Sequence, residues 1–348
     1  MDLQSIVQRY RERFVDQFGA RLNAAQWSAL NAIEACRQGP YGELLLNCQQ
    51  CHHQTQVMRS CGHRACNQCQ YHSVQAWLER QRQKQLPVNY YLVTFTLPAA
   101  LRPLARAHPK TVYSLLMQCA ADTLKTFGLN KKGLNAELGL CAVLHTHNRR
   151  LDFHPHVHIV VPGGAIHRAR REWRKLQGHY LFNGKALGAV FRGIFLSALE
   201  KAGLPPGVTP KRWVAHCKSV GRGEQALAYL ARYLYRGVIS NRHLVEDDGT
   251  HVTFRYRNSE THQWETRRET GAVFIYLLMQ HVLPKGFRRA RDYGFLHGNA
   301  KALLKMVQWV LRVQRPEALK TTHNAFACPC CGAGMVVSAI KAFRAKPG

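Results

Sequence analysis

Apolar residues along the chain fall into blocks of helical and of strand period. Ile6, Phe14, Leu22, Trp27, Leu30 and Ile33 recur at roughly helical spacing and predict helix over residues 3–37, stopped by Gly39-Pro40. A helix follows from about Ser73 to Gln85, ending before Pro87. The β-branched and aromatic run NYYLVTFTLP, residues 89–98, predicts a strand. Residues 103–128 predict helix. GLCAVLHTH (139–147) and HPHVHIVVP (154–162) predict two strands joined as a hairpin through NRRLDF. Helices are predicted over 186–202 and 224–236, a strand at HVTFRYR (251–257), and mostly helix over 271–315. Strands and helices in this order predict an α+β fold, with a mainly antiparallel central sheet and flanking helices. Three segments are expected: 1–86, 87–270 and 271–348.

Charge adds a partner to this picture. The chain of 348 residues has 49 Lys+Arg against 20 Asp+Glu, a net charge of +29. Such an excess repels itself in a compact state and points to a polyanion, nucleic acid first. It is concentrated in residues 148–236 and 271–348. No apolar run approaches the ~20 residues needed to span a bilayer. The opening MDLQSIVQRYRERF has no signal-peptide pattern. The expected setting is the cytoplasm, with no membrane partner. There the 12 cysteines are expected to be thiols or metal ligands, not disulfides. No phosphate-binding loop is present in the sequence, so the chain is not expected to consume ATP.

Cys48-x2-Cys51, 14 residues, then Cys66-x2-Cys69 has the spacing of two zinc knuckles. Four thiolates at about 2.3 Å can hold Zn2+ tetrahedrally. Cys61 and His63 lie between the knuckles and could replace one ligand. FACPCCGAGM near the C-terminus supplies Cys328 and Cys331, which resemble one further knuckle.

The strand at 154–162 carries a second chemistry. Residues two apart share a strand face, so His154, His156 and His158 point one way, and Pro155, Val157, Ile159 and Val161 point to a core. Imidazoles one pleat apart can chelate a divalent ion, and a small ligand set suits an open catalytic site. In EQALAYLARYLYRG, residues 224–237, Leu227, Leu230, Ala231 and Leu234 form an apolar stripe. Tyr229 and Tyr233, at i and i+4, share the other face beside Arg232 and Arg236. A phenol of pKa about 10 becomes a credible nucleophile beside cations and a polarised phosphate.

His156-Val157-His158 and the Tyr229-x3-Tyr233 pair together resemble the two-tyrosine branch of the HUH endonucleases. In order, SCGHRACNQC, VTFTLP, HPHVHIVVPGG, YLARYLYRGVISN, HVTFRYR, HVLPKGFRRARDYGFL and CPCCG resemble transposases of the insertion-sequence-ninety-one type. The resemblance implies an HUH nuclease domain at 87–270, a helical and zinc-binding domain at 1–86, and a basic C-terminal region. It implies Mg2+ or Mn2+ on His156 and His158, with the third ligand open among Gln225, His154 and His145. It further implies Tyr229 and Tyr233 as nucleophiles forming a 5′-phosphotyrosine on single-stranded element ends. A host helicase or replication machinery would unwind the DNA. Arg232, Arg236, Arg288 and Arg289 are the expected DNA contacts. Competing readings are a replication initiator or relaxase of the same superfamily, a non-catalytic zinc-dependent DNA-binding protein, and a metal-dependent hydrolase using water.

Overall fold

The computed structural model describes every residue except 70, 132, 177–181, 223, 226, 229–237, 315–325 and 343–348. In chain order the elements are α1 (Leu3–Phe18), α2 (Ala24–Glu34), β1 (Glu43–Cys48), β2 (Gln54–Met58), α3 (Tyr71–Arg82) and β3 (Asn89–Thr96). Next come α4 (Arg102–Ala107), α5 (Pro109–Gly128), β4 (Gly139–His147), β5 (Phe153–Pro162), β6 (Gly164–His167), β7 (Glu172–Lys175) and α6 (Gly184–Lys201). The rest are β8 (Ala215–Arg222), β9 (Leu244–Asp247), β10 (His251–Arg257), β11 (Trp264–Thr270), α7 (Gly271–Met279), β12 (Ala290–Gly294), α8 (Lys301–Val310) and β13 (Met335–Lys341). The fold is α+β with antiparallel sheets, as the sequence pattern predicts.

The chain separates into two compact units. One comprises Met1–Ser73, Tyr235–Val282 and Ala318–Gly348; the other comprises Val74–Leu234 and Leu283–Glu317. Neither unit is one continuous stretch.

The second unit is built on a five-stranded antiparallel sheet in the order β12-β4-β5-β3-β8. One face carries Val93, Phe95, Ala142, Leu144, Val157, Ile159 and Val161, all fully buried. Helix α5 packs Val112, Leu116, Ala120 and Leu124, one residue per turn, into the same core. Helix α6 adds Leu187, Phe191, Phe195 and Leu199 at the same period. Asn183 starts α6 by accepting the backbone N–H groups of Lys185 and Ala186. Burying each large side chain contributes roughly 1.5–3 kcal/mol, and this core fixes β5 at the middle of the sheet. The helical pattern expected over 271–315 is interrupted. After Pro284 and Gly286 (φ +74°) the chain forms β12, which pairs with β4.

In the first unit, the helix expected over 3–37 is two helices. A short turn at Gly19–Arg21 separates them, and Asn23 with Gln26 forms a reciprocal capping box that starts α2. Phe18 and Tyr276 stack at 4.4 Å between ring centroids, which joins α1 to α7. Two three-stranded sheets complete the unit, β13-β1-β2 and β11-β10-β9.

Candidate functional site

The alternation read from HPHVHIVV is present in β5. Val157 and Ile159 are buried in the core, and His154, His156 and His158 lie half-buried on the opposite face. Sheet register then adds a residue that no sequence period reveals. His145 of β4 stands across from His156, and Val143 across from His158. On the other side β3 sets Thr96 beside His156 and Thr94 beside His158. The ligating atoms of His145, His156 and His158 all lie within 4.8 Å of one another. Ring centroids are 5.1 Å apart for His145 and His156, 4.5 Å for His145 and His158, and 4.8 Å for His156 and His158.

Hydrogen bonds orient two of the rings. The His156 Nδ1–H donates to the His154 carbonyl at 2.7 Å, which leaves the lone pair on Nε2. His158 Nδ1 lies 2.9 Å from Thr94 Oγ1, a contact that fixes the ring. Desolvation holds His156 down to about 4 and His158 to about 3. His145 is held well below the ordinary imidazole value, first by burial and then by the charge of His158 and His156. At neutral pH all three rings are uncharged, the form that binds a metal. Three neutral nitrogens in a partly open site fit a divalent ion that keeps positions for substrate oxygens.

Of the two histidine candidates for a third ligand, the structure groups His145, and not His154, with His156 and His158. His154 is turned away, with Nδ1 at 2.8 Å from the Arg102 guanidinium, and Gln225 is exposed. Arg288 is exposed, and the Arg289 carbonyl accepts the Leu144 N–H beside the site at 2.9 Å. Tyr229, Tyr233, Arg232 and Arg236 lie outside the described residues.

The cysteines are grouped differently from the pairing that sequence spacing suggests. Cys48 and Cys51 do not meet Cys66 and Cys69. Instead, Cys66 and Cys69 join Cys61 and Cys36, with sulfurs 3.4 Å apart for Cys36–Cys69 and 3.5 Å for Cys61–Cys69 and Cys66–Cys69. Cys36 follows the C-terminus of α2, and α2 carries it there; no nearby second cysteine marks it in sequence. Cys48 and Cys51 join Cys328 and Cys331, because β13 pairs with β1 and brings the far end of the chain alongside. His63 belongs to neither group; its Nδ1 accepts the Ala65 N–H at 3.2 Å. A tetrahedron with zinc–sulfur bonds of about 2.3 Å has edges of about 3.8 Å, so the Cys36 group fits Zn2+. Hydrogen bonding from Cys61 holds the Cys69 thiol far below the usual range. The bond with Cys61 pushes Cys66 far above it.

Comparison with known proteins covers both regions. A family described as "Putative transposase" matches residues 139–303, the stretch holding the three histidines. A family described as "Transposase zinc-binding domain" matches residues 6–97. The protein named "Putative transposase y4qJ" of Sinorhizobium fredii is 34% identical over 380 residues, covering 97% of this chain and 94% of that protein. The "Transposase for insertion sequence element IS801" of Pseudomonas savastanoi pv. phaseolicola is 26% identical over 320 residues, covering 83% and 77%. No solved structure matches. The chain belongs to the transposases of the insertion-sequence-ninety-one type. It is therefore a DNA-acting enzyme with structural zinc. Among the described residues, no helix is long and apolar enough to cross a membrane.

Proposed function

We propose that this transposase nicks and joins single-stranded DNA at the ends of its element through a 5′-phosphotyrosine. The convergence of His145, His156 and His158 at the centre of the sheet carries the reading. These rings would hold Mn2+ or Mg2+, which would draw charge from the non-bridging oxygens of the scissile phosphate. An all-imidazole set favours Mn2+ of the two. Tyr229 or Tyr233 supplies the phenolic oxygen that bonds to phosphorus; the bond to the 3′ oxygen breaks, and that oxygen leaves with a proton. The ester keeps the bond energy, so rejoining needs no nucleotide cofactor. Two tyrosines four residues apart in the sequence would allow one strand end to be held while the second attacks the next phosphate. Arg232, Arg236, Arg288 and Arg289 would grip the backbone.

In this reading the chemistry belongs to residues 87–270, the zinc-bearing 1–86 positions DNA, and 271–348 adds charge. Unwinding falls to a host helicase at the nucleoid.

The test is a single-turnover reaction on element-end oligonucleotides with Mn2+. Wild type is expected to leave a detergent-stable protein–DNA adduct. The Tyr229→Phe/Tyr233→Phe double variant is expected to leave none. Cleavage without any adduct would transfer the nucleophile's role to water and end the phosphotyrosine reading. Loss of nothing but binding would reduce the chain to a DNA-binding protein. Joining of two element ends distinguishes a transposase from an initiator or relaxase.

A further inference from the structure

The zinc-binding match ends at residue 97 and contains all of Cys36, Cys61, Cys66 and Cys69. It contains only half of the other group. Cys48 and Cys331 sulfurs lie 3.5 Å apart across 283 residues, and Cys51 and Cys328 sulfurs 3.5 Å apart across 277.

The two halves have the same backbone. After Cys48-x2-Cys51, the His52 N–H bonds the Cys48 carbonyl at 3.0 Å and the Cys48 N–H bonds the His53 carbonyl at 2.9 Å. After Cys328-x2-Cys331, the Gly332 N–H bonds the Cys328 carbonyl at 2.9 Å and the Cys328 N–H bonds the Ala333 carbonyl at 2.7 Å. The residue following the second cysteine is left-handed in both, His52 at φ +58° and Gly332 at φ +75°. A non-glycine residue there is unfavourable, so His52 is held in that shape by its surroundings.

The four sulfurs all lie within 4.8 Å of one another, and four thiolates so gathered suit a soft divalent metal. The apolar core behind them has only Leu46, Cys48, Cys328 and Met335 buried, and all of β13 beyond Met335 is exposed. Three strands on so small a core need a further tie.

We propose that Cys48, Cys51, Cys328 and Cys331 bind a second zinc ion, in a ribbon whose two knuckles come from opposite ends of the chain. The ion clasps the C-terminal strand to β1. Closing a loop of this length by a metal removes much unfolded-chain entropy. The inference does not depend on the cleavage chemistry.

Native mass spectrometry of the full chain reads it directly. Two zinc ions per chain are expected for wild type, one for Cys328→Ser/Cys331→Ser, and two for Cys330→Ser, whose thiol lies outside the group. A single zinc in wild type, or an unchanged count in the double variant, overturns the proposal. A chain lighter by the four hydrogens of two disulfides and holding no metal at this site does so as well.

Wild-type protein gives a second readout that needs no variant. Cys48, Cys51, Cys328 and Cys331 should resist alkylation until a zinc chelator is added, while Cys330 reacts at once. Equal reactivity of Cys331 and Cys330 before chelation would refute the site.

Discussion

His145 and His156 face each other across two antiparallel strands, their rings edge to face at 5.1 Å. Neither is positioned by its own sequence neighbours alone; the β4–β5 register makes them a pair. Under the proposed mechanism His145 would act together with the strand histidines. His145→Ala is expected to lower the single-turnover nicking rate by two orders of magnitude or more, as far as His156→Ala does. Affinity for the same oligonucleotide, read by fluorescence anisotropy, should change less than about threefold. A His145→Ala protein that nicks normally would remove it from the site.

Thr94 offers a finer test. Its hydroxyl touches His158 Nδ1, and groups that orient a metal-binding imidazole are typically worth about 10–100-fold in metal affinity or activity. Thr94→Val should raise the Mn2+ concentration needed for half-maximal nicking by that order. Thr94→Ser, which keeps the hydroxyl, should restore it. Equal behaviour of the two variants would mean that only packing matters there.

Acid sensitivity follows from the same site. His156 and His158 are held to about 4 and about 3 by desolvation, below the roughly 6.5 of an exposed imidazole. Between these values the unfolded chain binds protons that the folded site refuses. Stability is therefore full above about pH 6.5 and falls as the pH drops toward 4. Denaturant midpoints at pH 7.5 and pH 5 should differ more for wild type than for His156→Gln/His158→Gln. An equal difference would show that these rings are not the acid-sensitive groups.

Much of this was legible in the sequence, for a physical reason. Strand alternation is local, so His154, His156 and His158 declare their common face within five residues. Knuckle spacing is equally local, and each of the two N-terminal C-x2-C pairs sits in a cluster of four cysteines. What sequence does not carry is which distant segment meets which. Cys36 ends a helix with no partner nearby, and the matching of Cys48 with Cys331 depends on β13 pairing with β1. Strand β2, QTQVM, is polar and short and gives little pattern to read. Strand β12 sits in a segment whose composition suits a helix, and the open edge of β4 decides its form.

Gly42 tests the β1–β13 junction without touching a sulfur. It lies at φ +85°, and a Cβ there would stand 2.2 Å from the Lys341 carbonyl oxygen. Gly42→Ala meets both a disfavoured backbone and a clash, and is expected to cost about 1–3 kcal/mol. Thermal unfolding should shift down, and hydrogen exchange should quicken at residues 335–341. Unchanged exchange there would mean that the strand is not seated against β1.

The order β13-β1-β2 places β1 in the middle of its sheet, with one partner far downstream in the chain. During translation β1 emerges with β2 on one side and a bare row of amides and carbonyls on the other. That edge stays open for roughly 290 further residues. At about 5–20 residues per second this lasts on the order of 15–60 s. For that interval the nascent chain presents a sticky sheet margin to any neighbouring chain on the same messenger. Ribosomes that stall or fall off before residue 335 release products that never cover it. Chains that lack β13 are therefore expected to aggregate or be degraded through this uncovered margin.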